Sequence, residues 1–175
     1  MNESGPFSEP KAFIVAFGSN VGDRERHIRD ALQKISSLGT LLKVSGLYDT
    51  AAMYNQNQER FLNGVMLAST RLTPARVLSG LKSIEAELGR VERGRNGPRE
   101  IDLDIVWFED YVSDGESQPV LPHPRAFERR FVLEPLNELL PELLLQGYGV
   151  VGELLQKLPN DPQGVRRVSD APILL

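Results

Sequence analysis

The chain has 175 residues, of which 41% are hydrophobic and 25% are charged, a composition typical of one globular domain. It contains no cysteine and only two histidines, which excludes a disulfide framework, a thiol nucleophile and a thiolate metal site, and favours oxygen ligands for any metal. A formal net charge of −4 argues against a protein that holds nucleic acid through its overall electrostatic field.

Strand and helix patterns alternate in the first half of the chain. The apolar run 12–17 predicts a buried strand, and apolar residues at helical spacing predict a helix over 23–38. A second strand is predicted over 41–47 and a third over 61–70. The aperiodic loop 50–60 between them is long enough to have a function of its own.

The second half begins with a helix signal and continues with a strongly alternating strand. Thr73 followed by Pro74 predicts an N-cap and first turn, and the apolar spacing continues to Leu88. Alternation over 101–108 predicts a fourth strand. Residues 127–145 predict one or two short helices, interrupted by Pro135 and Pro141.

The resulting order is β-α-β-β-α-β followed by C-terminal helices. This order predicts an α+β fold, the ferredoxin-like split βαβ plan with a mostly antiparallel sheet. We predict a single domain over 12–158, with a flexible leader at 1–11 and a tail or linker at 159–175. No apolar run approaches the roughly 18 residues that span a bilayer, and the leader lacks the features of a secretory signal, so we expect no membrane partner and a cytoplasmic protein.

Asp102 and Asp104 are the first candidate functional residues. In a strand, residues two positions apart point to the same face, about 6.6 Å apart along the chain. The apolar residues that alternate with them would face the core: Ile101, Leu103, Ile105 and Trp107. Two neighbouring carboxylates repel each other unless a cation lies between them, and Mg²⁺ is typically held by one or two carboxylates together with substrate phosphates. The alternative is a solvated strand face, although aspartate is disfavoured in strands.

An arginine- and glycine-rich loop leads into this strand. Residues 89–99 contain four arginines, whose planar guanidinium groups match phosphate oxygens, and three glycines that allow the loop to close over a ligand. A solvated basic loop or an RNA-binding patch is the alternative. Arginines beside an acid pair are what a magnesium–nucleoside triphosphate needs, and we therefore predict a phosphate-and-metal site over 90–104.

Two weaker signals lie elsewhere in the chain. Phe61 and Asn63 share one face of the third predicted strand, where a ring and an amide can bind a flat heterocycle. A phenylalanine at the start of a strand is also a common core residue. His123 lies between two prolines, which restrict its loop; an ordinary turn histidine is the alternative.

Four segments carry a family resemblance over roughly residues 12–145. They are Phe17-Gly18-Ser19-Asn20, Phe61-Leu62-Asn63, the run from Asn96 through Gly97-Pro98-Arg99 to Asp104, and Pro122-His123-Pro124-Arg125 with Arg129 and Phe131. In this order and spacing they resemble the 6-hydroxymethyl-7,8-dihydropterin pyrophosphokinases of folate biosynthesis. The resemblance implies transfer of pyrophosphate from ATP to the hydroxymethyl group of the dihydropterin, with attack on the β-phosphorus and release of AMP.

The resemblance also implies roles for individual residues. Asp102 and Asp104 would ligate two Mg²⁺ ions, and together with Arg90 and Arg99 they would form the catalytic set. The implied pterin-binding residues are Thr50, Ala52, Met53, Phe61, Asn63 and Phe131. The implied ATP-binding residues are Leu78, Glu85, Arg90, Arg99, Ile105, Val120, His123 and Arg129.

The chain departs from the family pattern in the arginine loop and at one aromatic position. Asn96 stands where many members have tryptophan, and Phe61 stands where many have tyrosine. The loop is one residue shorter than in some bacterial members, which leaves Arg93 and Arg95 without assigned roles. The polar leader and the proline-bearing tail would suit either a domain fused to, or followed by, other folate-pathway enzymes or a free-standing enzyme.

Two other classes of protein compete with this interpretation. An RNA-binding RRM shares the split βαβ plan, but it uses aromatic residues where this chain has Asp102 and Asp104, which would repel phosphate in the absence of a metal. A glycosyltransferase with an Asp-x-Asp motif is the second alternative, for which the chain is short. We expect small-molecule substrates and no nucleic-acid partner.

Overall fold

The fold is built on one large antiparallel sheet. A computed structural model describes residues 6–53, 57–159, 161 and 164–172 of the chain. The strands of the sheet are β1 (Lys11–Ser19), β2 (Thr40–Val44), β3 (Leu47–Thr50), β4 (Phe61–Thr70), β5 (Asp102–Phe108) and β8 (Arg166–Ser169). Their order is β5-β1-β4-β3-β8, and β2 pairs with β4 beyond the end of β3.

Helices cover both faces of this sheet. They are α1 (Arg24–Ile35), α2 (Pro74–Glu87), α3 (Arg130–Leu139) and α4 (Val151–Lys157), with a short hairpin formed by β6 (Leu144–Leu145) and β7 (Gly149–Val150) before α4. The order β5-β1-β4 followed by β2 and β3 is the ferredoxin-like arrangement, which confirms the predicted fold class; β8 is an additional strand beyond β3. Among the described helices, none has both the length and the apolar composition needed to cross a membrane.

The core is divided by the sheet into two clusters. Helices α1 and α2 pack against Val15 and Phe17 of β1, whereas α3 and α4 pack against Ile14 from the opposite face of the same strand. Because β1 is central and covered on both faces, its sequence is almost continuously apolar rather than alternating. On the α3 side, β1 presents Ile14, then Ala16, then Gly18, and these shrinking side chains leave space between the sheet and α3.

The structure corrects the prediction of a single strand over 41–47. Ser45 and Gly46 separate β2 from β3. Ser45 still donates its backbone N–H to the Val65 carbonyl of β4 at 2.9 Å. The hydroxyl of Ser45 accepts the Val65 N–H at 2.9 Å, in place of a carbonyl of the ladder. The N–H of Gly46 turns away and donates to Glu138 of α3 at 2.9 Å.

A β-bulge at Val106 corrects the predicted face of Trp107. Ile14 and Val15 of β1 pair with Trp107 and Ile105, so Val106 has no direct partner. The extra residue shifts the alternation by one position. Ile105 therefore faces the α1–α2 cluster as predicted, whereas Trp107 packs against the α3–α4 cluster.

The predicted interruption at Pro135 is wrong. Helix α3 continues through this proline and ends at Leu139, before Pro141, and residues 144–145 form a strand rather than helix. Pro135 is buried on the core face of α3. We attribute its tolerance to this packing, which offsets the hydrogen bond that a proline cannot donate.

Both ends of the described chain contact the domain. Phe7, in the predicted leader, packs against Phe108 with ring centroids 6.0 Å apart, and its N–H donates to Arg71. In the predicted tail, residues 166–169 form β8 and pair with β3, so that part of the tail is a strand of the sheet. The leader residues 1–5 and the tail residues 160, 162–163 and 173–175 lie outside the described residues, as do 54–56 of the predicted loop 50–60.

Candidate active site

A cleft lies beside Gly18 near the end of β1, and the space within it, including the open solvent at its mouth, is about 940 Å³. Its walls come from β1, the end of β3, β4, β5, the start of α3 and three loops, which follow β3, precede β5 and follow β5. Eleven of the residues predicted from the sequence line it: Thr50, Ala52, Met53, Phe61, Asn63, Arg99, Asp102, Asp104, His123, Arg129 and Phe131. The other five do not line it: Leu78, Glu85, Arg90, Ile105 and Val120.

One end of the cleft is aromatic and carries an amide. Phe61 at the start of β4 and Phe131 at the start of α3 both line it. Asn63, only 7% exposed, donates to the Thr50 hydroxyl at 2.9 Å, which fixes the orientation of the amide. A Cβ atom on Gly18 would lie 2.5 Å from the Asn63 side-chain oxygen, so glycine is required beside this amide.

The other end of the cleft is charged. Asp102 accepts hydrogen bonds from Arg90 at 2.8 Å and from Arg99 at 2.7 Å. Asp104, on the same strand face as predicted, has Lys82 as its nearest ion-pair partner at 3.9 Å. Partial burial in the cleft wall and the neighbouring charge of Asp102 raise the pKa of Asp104 above its ordinary value. The acid pair is therefore incompletely neutralised.

Glu85 of α2 supports this charged end through contacts with Arg90 and with β5. Its carboxylate is 5% exposed and accepts the Leu103 N–H at 2.7 Å, while Arg90 lies 2.7 Å away. Burial raises the pKa of Glu85, although Lys82, the Leu103 N–H and Arg90 act in the opposite direction. Arg90 thus connects a buried acid of α2 to Asp102 of β5, and it acts on the cleft through Asp102 rather than by lining it.

His123 projects into the cleft from a well-defined loop. Its backbone N–H donates to the Val106 carbonyl at 2.9 Å. Its ring Nδ1 accepts hydrogen bonds from the backbone N–H groups of Arg125 and Ala126 at 3.2 and 3.1 Å. Because Nδ1 is an acceptor, the neutral ring carries its proton on Nε2. Burial lowers the pKa of His123, against the opposing charge of Asp104, which favours this neutral, hydrogen-bond-donating form.

The arginine loop is held by contacts that the sequence did not reveal. Arg93 binds Glu100 rather than lining the cleft, and this ion pair, together with the Val91 N–H, lowers the pKa of Glu100 to about 2. Asn96 and Gly97 contribute to the cleft wall. Arg93 is therefore a structural residue of the loop, whereas Arg99 at its end reaches the acid pair.

Asn20 joins the two loops that border the cleft. It is 1% exposed, donates to the Gln58 side chain at 3.0 Å and the Glu59 carbonyl at 3.1 Å, and accepts the Arg99 N–H at 2.8 Å. Gln58 in turn donates to the Asn96 carbonyl at 2.6 Å. The sequence analysis noted the Gly18-Ser19-Asn20 segment. It could not predict that Asn20 joins the two loops, because the hydrogen-bond partners of Asn20 are distant along the chain.

The cleft of this ferredoxin-like domain has an aromatic–amide end and an acid–arginine end. This combination is typical of a class of protein that joins a flat heterocycle to a phosphate donor. Residues 14–141 match the sequence model of the 7,8-dihydro-6-hydroxymethylpterin-pyrophosphokinase family. The chain belongs to this family.

Relatives at about 40% identity support the assignment. The chain is 40% identical over 130 residues to the 2-amino-4-hydroxy-6-hydroxymethyldihydropteridine pyrophosphokinase of Aquifex aeolicus, which covers 74% of this chain and 81% of that protein. It is 42% identical over 162 residues to the folic acid synthesis protein fol1 of Schizosaccharomyces pombe, covering 91% of this chain and 22% of the relative. The chain thus spans under a quarter of this fungal relative.

A solved structure supports the fold. The wild-type HPPK-DHPS of Plasmodium falciparum, crystallised with pterin and p-hydroxybenzoate, superimposes with a TM-score of 0.68 at 16% identity, over 85% of this chain and 43% of that chain. At this identity the likeness concerns the fold alone. The family match leaves the RRM alternative without support.

Proposed function

We propose that this domain transfers pyrophosphate from ATP to the hydroxymethyl group of 6-hydroxymethyl-7,8-dihydropterin, in folate biosynthesis. The hydroxyl oxygen of the pterin forms a bond to the β-phosphorus, the bond from that phosphorus to the oxygen bridging the α-phosphate breaks, and AMP leaves with that oxygen. The hydroxyl proton is released. The observation that carries the proposal is the single cleft that brings Phe61, Asn63 and Phe131 together with Asp102 and Asp104.

The aromatic end provides what a pterin ring requires. Phe61 and Phe131 offer flat apolar faces for stacking, and Arg129 lies over the Phe131 ring with 5.8 Å between its guanidinium carbon and the ring centroid. The Asn63 amide, oriented by Thr50, can hydrogen-bond the edge of the heterocycle. Ala52 and Met53 complete this side of the cleft.

The charged end provides what a triphosphate requires. Arg99, Arg129 and the Nε2–H of His123 are donors in the cleft, and phosphoryl-type transfer depends on such positioned charges more than on covalent chemistry. We retain adenine contacts with Leu78, Ile105 and Val120 as predictions. A direct ATP contact with Glu85 also remains a prediction; its carboxylate is already engaged by Leu103 and Arg90.

Asp102 and Asp104 are the residues that would hold Mg²⁺. They are hard oxygen donors facing the cleft, and the incomplete neutralisation of Asp104 suits an added cation. Among the described residues, no group of three or more acidic or histidine side chains is placed to hold a metal. Substrate phosphates and water would supply the remaining ligands, as is usual for Mg²⁺. When bound, the metal would neutralise the triphosphate; we propose two ions, as the family resemblance implies.

Fusion of this domain to other enzymes is also a proposal. A pea relative, 40% identical and covered over 26% of its length, is named a mitochondrial folate synthesis bifunctional protein. On this basis we propose that other folate-pathway enzymes are fused to or follow this domain. The cytoplasmic localisation stays a prediction, and so do the boundaries at 12–158, beyond which the structure adds β8 to the sheet.

The direct test is an assay of AMP release with ATP, Mg²⁺ and 6-hydroxymethyl-7,8-dihydropterin. We expect one AMP for each pterin diphosphate formed, and no AMP without the pterin. Formation of ADP in place of AMP would identify transfer of a single phosphoryl group and contradict the proposal. Addition of EDTA is expected to abolish the reaction, because the triphosphate charge would no longer be neutralised.

Asn20→Asp tests the connection between the two loops. The substitution keeps an oxygen that can accept the Arg99 N–H, but it removes the amide donor to Gln58 and Glu59. We expect the free energy of unfolding to fall by about 1–3 kcal/mol, the cost of leaving buried acceptors unsatisfied. Amide hydrogen exchange should accelerate over 57–61 and change little at 99–103.

Glu59→Gln is the matched control for Asn20→Asp. The Glu59 side chain is exposed, and only its carbonyl contacts Asn20. We expect wild-type hydrogen exchange in this control. Equal acceleration of both segments in Asn20→Asp would show that Asn20 stabilises the domain as a whole and does not anchor the loop around Gln58 specifically.

A further inference from the structure

Strand β8 lies outside the part of the chain that defines the family. The family match ends at residue 141, and the Aquifex aeolicus relative aligns over 130 residues, whereas the Schizosaccharomyces pombe relative aligns over 162. In the structure β8 adds an antiparallel strand to the open edge of β3, with Arg166 opposite Asp49 and Arg167 opposite Tyr48. This addition covers the strand that ends at Thr50 in the cleft.

Glu138 connects β8 to both β3 and α3. This α3 carboxylate accepts the Gly46 N–H at 2.9 Å and the Tyr48 hydroxyl at 2.6 Å. From β8, the Arg167 guanidinium lies 3.3 Å from the same carboxylate. Burial alone would raise the pKa of Glu138, but these three donors outweigh it and lower the pKa. One charged group therefore joins three elements.

Gly46 shows how closely Arg167 approaches β3. A Cβ atom on Gly46 would lie 2.4 Å from Nε of Arg167, so the arginine occupies the space that a side chain at this position would take. A second tie lies at the other end of β3, where Arg60 donates to the Gly164 carbonyl at 3.2 Å and also pairs with Asp49. Arg60 immediately precedes Phe61 on the cleft wall.

The elements joined in this way are the two walls of the aromatic end. Helix α3 carries Phe131, and β3 and β4 carry Thr50, Phe61 and Asn63. We propose that β8 is a positioning strand that fixes the β3–β4 wall against α3, and that it thereby sets the affinity of the cleft for the pterin ring. The identity of this ligand rests on the proposed function.

The test uses the full chain with Arg166→Pro and Arg167→Pro combined. Successive N–H groups of a strand point to opposite edges, so one of the two prolines removes an N–H that faces β3, and both restrict the backbone. The combination of Arg166→Thr and Arg167→Thr is the matched control for the ladder, because it removes the same charges and retains a strand-forming sequence. Arg167→Ala and Arg167→Lys test the side chain of Arg167 without disturbing the ladder; this side chain pairs with Glu138 at 3.3 Å and also with Asp170 at 2.7 Å.

We expect the double proline variant to raise KM for the dihydropterin by about tenfold, which lies within the loss caused by misplacing a binding group by about 1 Å. KM for ATP should change by less than about twofold, because the acid pair and Arg99 lie on β5 and its preceding loop. Arg167→Ala should act in the same direction and Arg167→Lys should restore part of the loss. Faster amide exchange at 47–50 in the proline variant would confirm that β8 has detached.

Three outcomes would overturn this inference or its basis. Detachment of β8 with an unchanged KM for the dihydropterin would show that the strand does not position the cleft. Equal increases in both KM values, accompanied by loss of folded protein, would show a general stabilising role instead. Absence of pterin-dependent AMP release in the wild-type chain would refute the proposed function, and is distinguished from the other two because it is seen before any substitution.

Discussion

Asp102→Asn and Asp104→Asn are each expected to lower the rate of AMP release by about 10²–10³-fold or more, the range seen when one preorganised electrostatic group is removed from an active site. Both substitutions keep the size of the side chain and remove its charge. The two carboxylates occupy different positions in the same cleft. Neither can therefore supply the oxygen ligand that the other would provide. The measurement is kcat with saturating ATP, Mg²⁺ and dihydropterin.

The two substitutions should differ in their effect on stability. Asp102 accepts bonds from Arg90 and Arg99, so Asp102→Asn removes two close ion pairs. Asp104 has its nearest ion-pair partner 3.9 Å away and is repelled by Asp102. We therefore expect Asp104→Asn to leave Tm unchanged or raised while activity is lost, the combination typical of a residue selected for function rather than stability.

Asp110→Asn provides the matched control for the acid pair. Asp110 follows β5 but is 72% exposed and pairs with Lys11, away from the cleft. Its positive φ of 55° is compatible with asparagine, so the substitution does not strain the backbone. Wild-type activity is expected here. Substantial activity in both Asp102→Asn and Asp104→Asn would refute the assignment of these residues to the metal.

The acid pair could be predicted because it depends only on local geometry. A strand places residues two apart on one face, whatever the rest of the fold, and Asp102 and Asp104 precede the bulge at Val106. Trp107 lies beyond the bulge, and its face was predicted wrongly for that reason. A bulge depends on how β1 pairs with β5, which the sequence of β5 alone does not contain.

Strand β8 and the contacts of Asn20 could not be predicted for a related reason. Residues 166–169 have little apolar alternation because β8 lies at the sheet edge and is held by its ladder and by Arg167 with Glu138, 29 residues away. Asn20 follows a strand, where asparagine is an ordinary turn residue. Its partners Gln58 and Arg99 come from two other segments, so only the folded chain reveals that its amide is fully used.

Phe131→Ala is expected to weaken dihydropterin binding far more than ATP binding. Stacking of a heterocyclic base on an aromatic ring contributes about 1–3 kcal/mol, so loss of this ring should raise the dissociation constant of the pterin by roughly 5- to 150-fold. Phe131 is the second residue of α3, partly exposed on the cleft, and its removal leaves the buried residues Val132 and Leu133 in place. The fold should therefore be retained.

Phe131→Leu separates stacking from simple apolar contact. Leucine keeps most of the buried apolar area but has no flat face, so it should recover little of the lost pterin affinity if stacking dominates. Isothermal titration with a dihydropterin and, separately, with a non-hydrolysable ATP analogue measures the two affinities. Arg129 lies over the Phe131 ring and is predicted to bind ATP, so a small decrease in nucleotide affinity is expected in both variants. An equal decrease for the two ligands would contradict a pterin site between Phe61 and Phe131, because it would place the ring of Phe131 against both substrates or against neither.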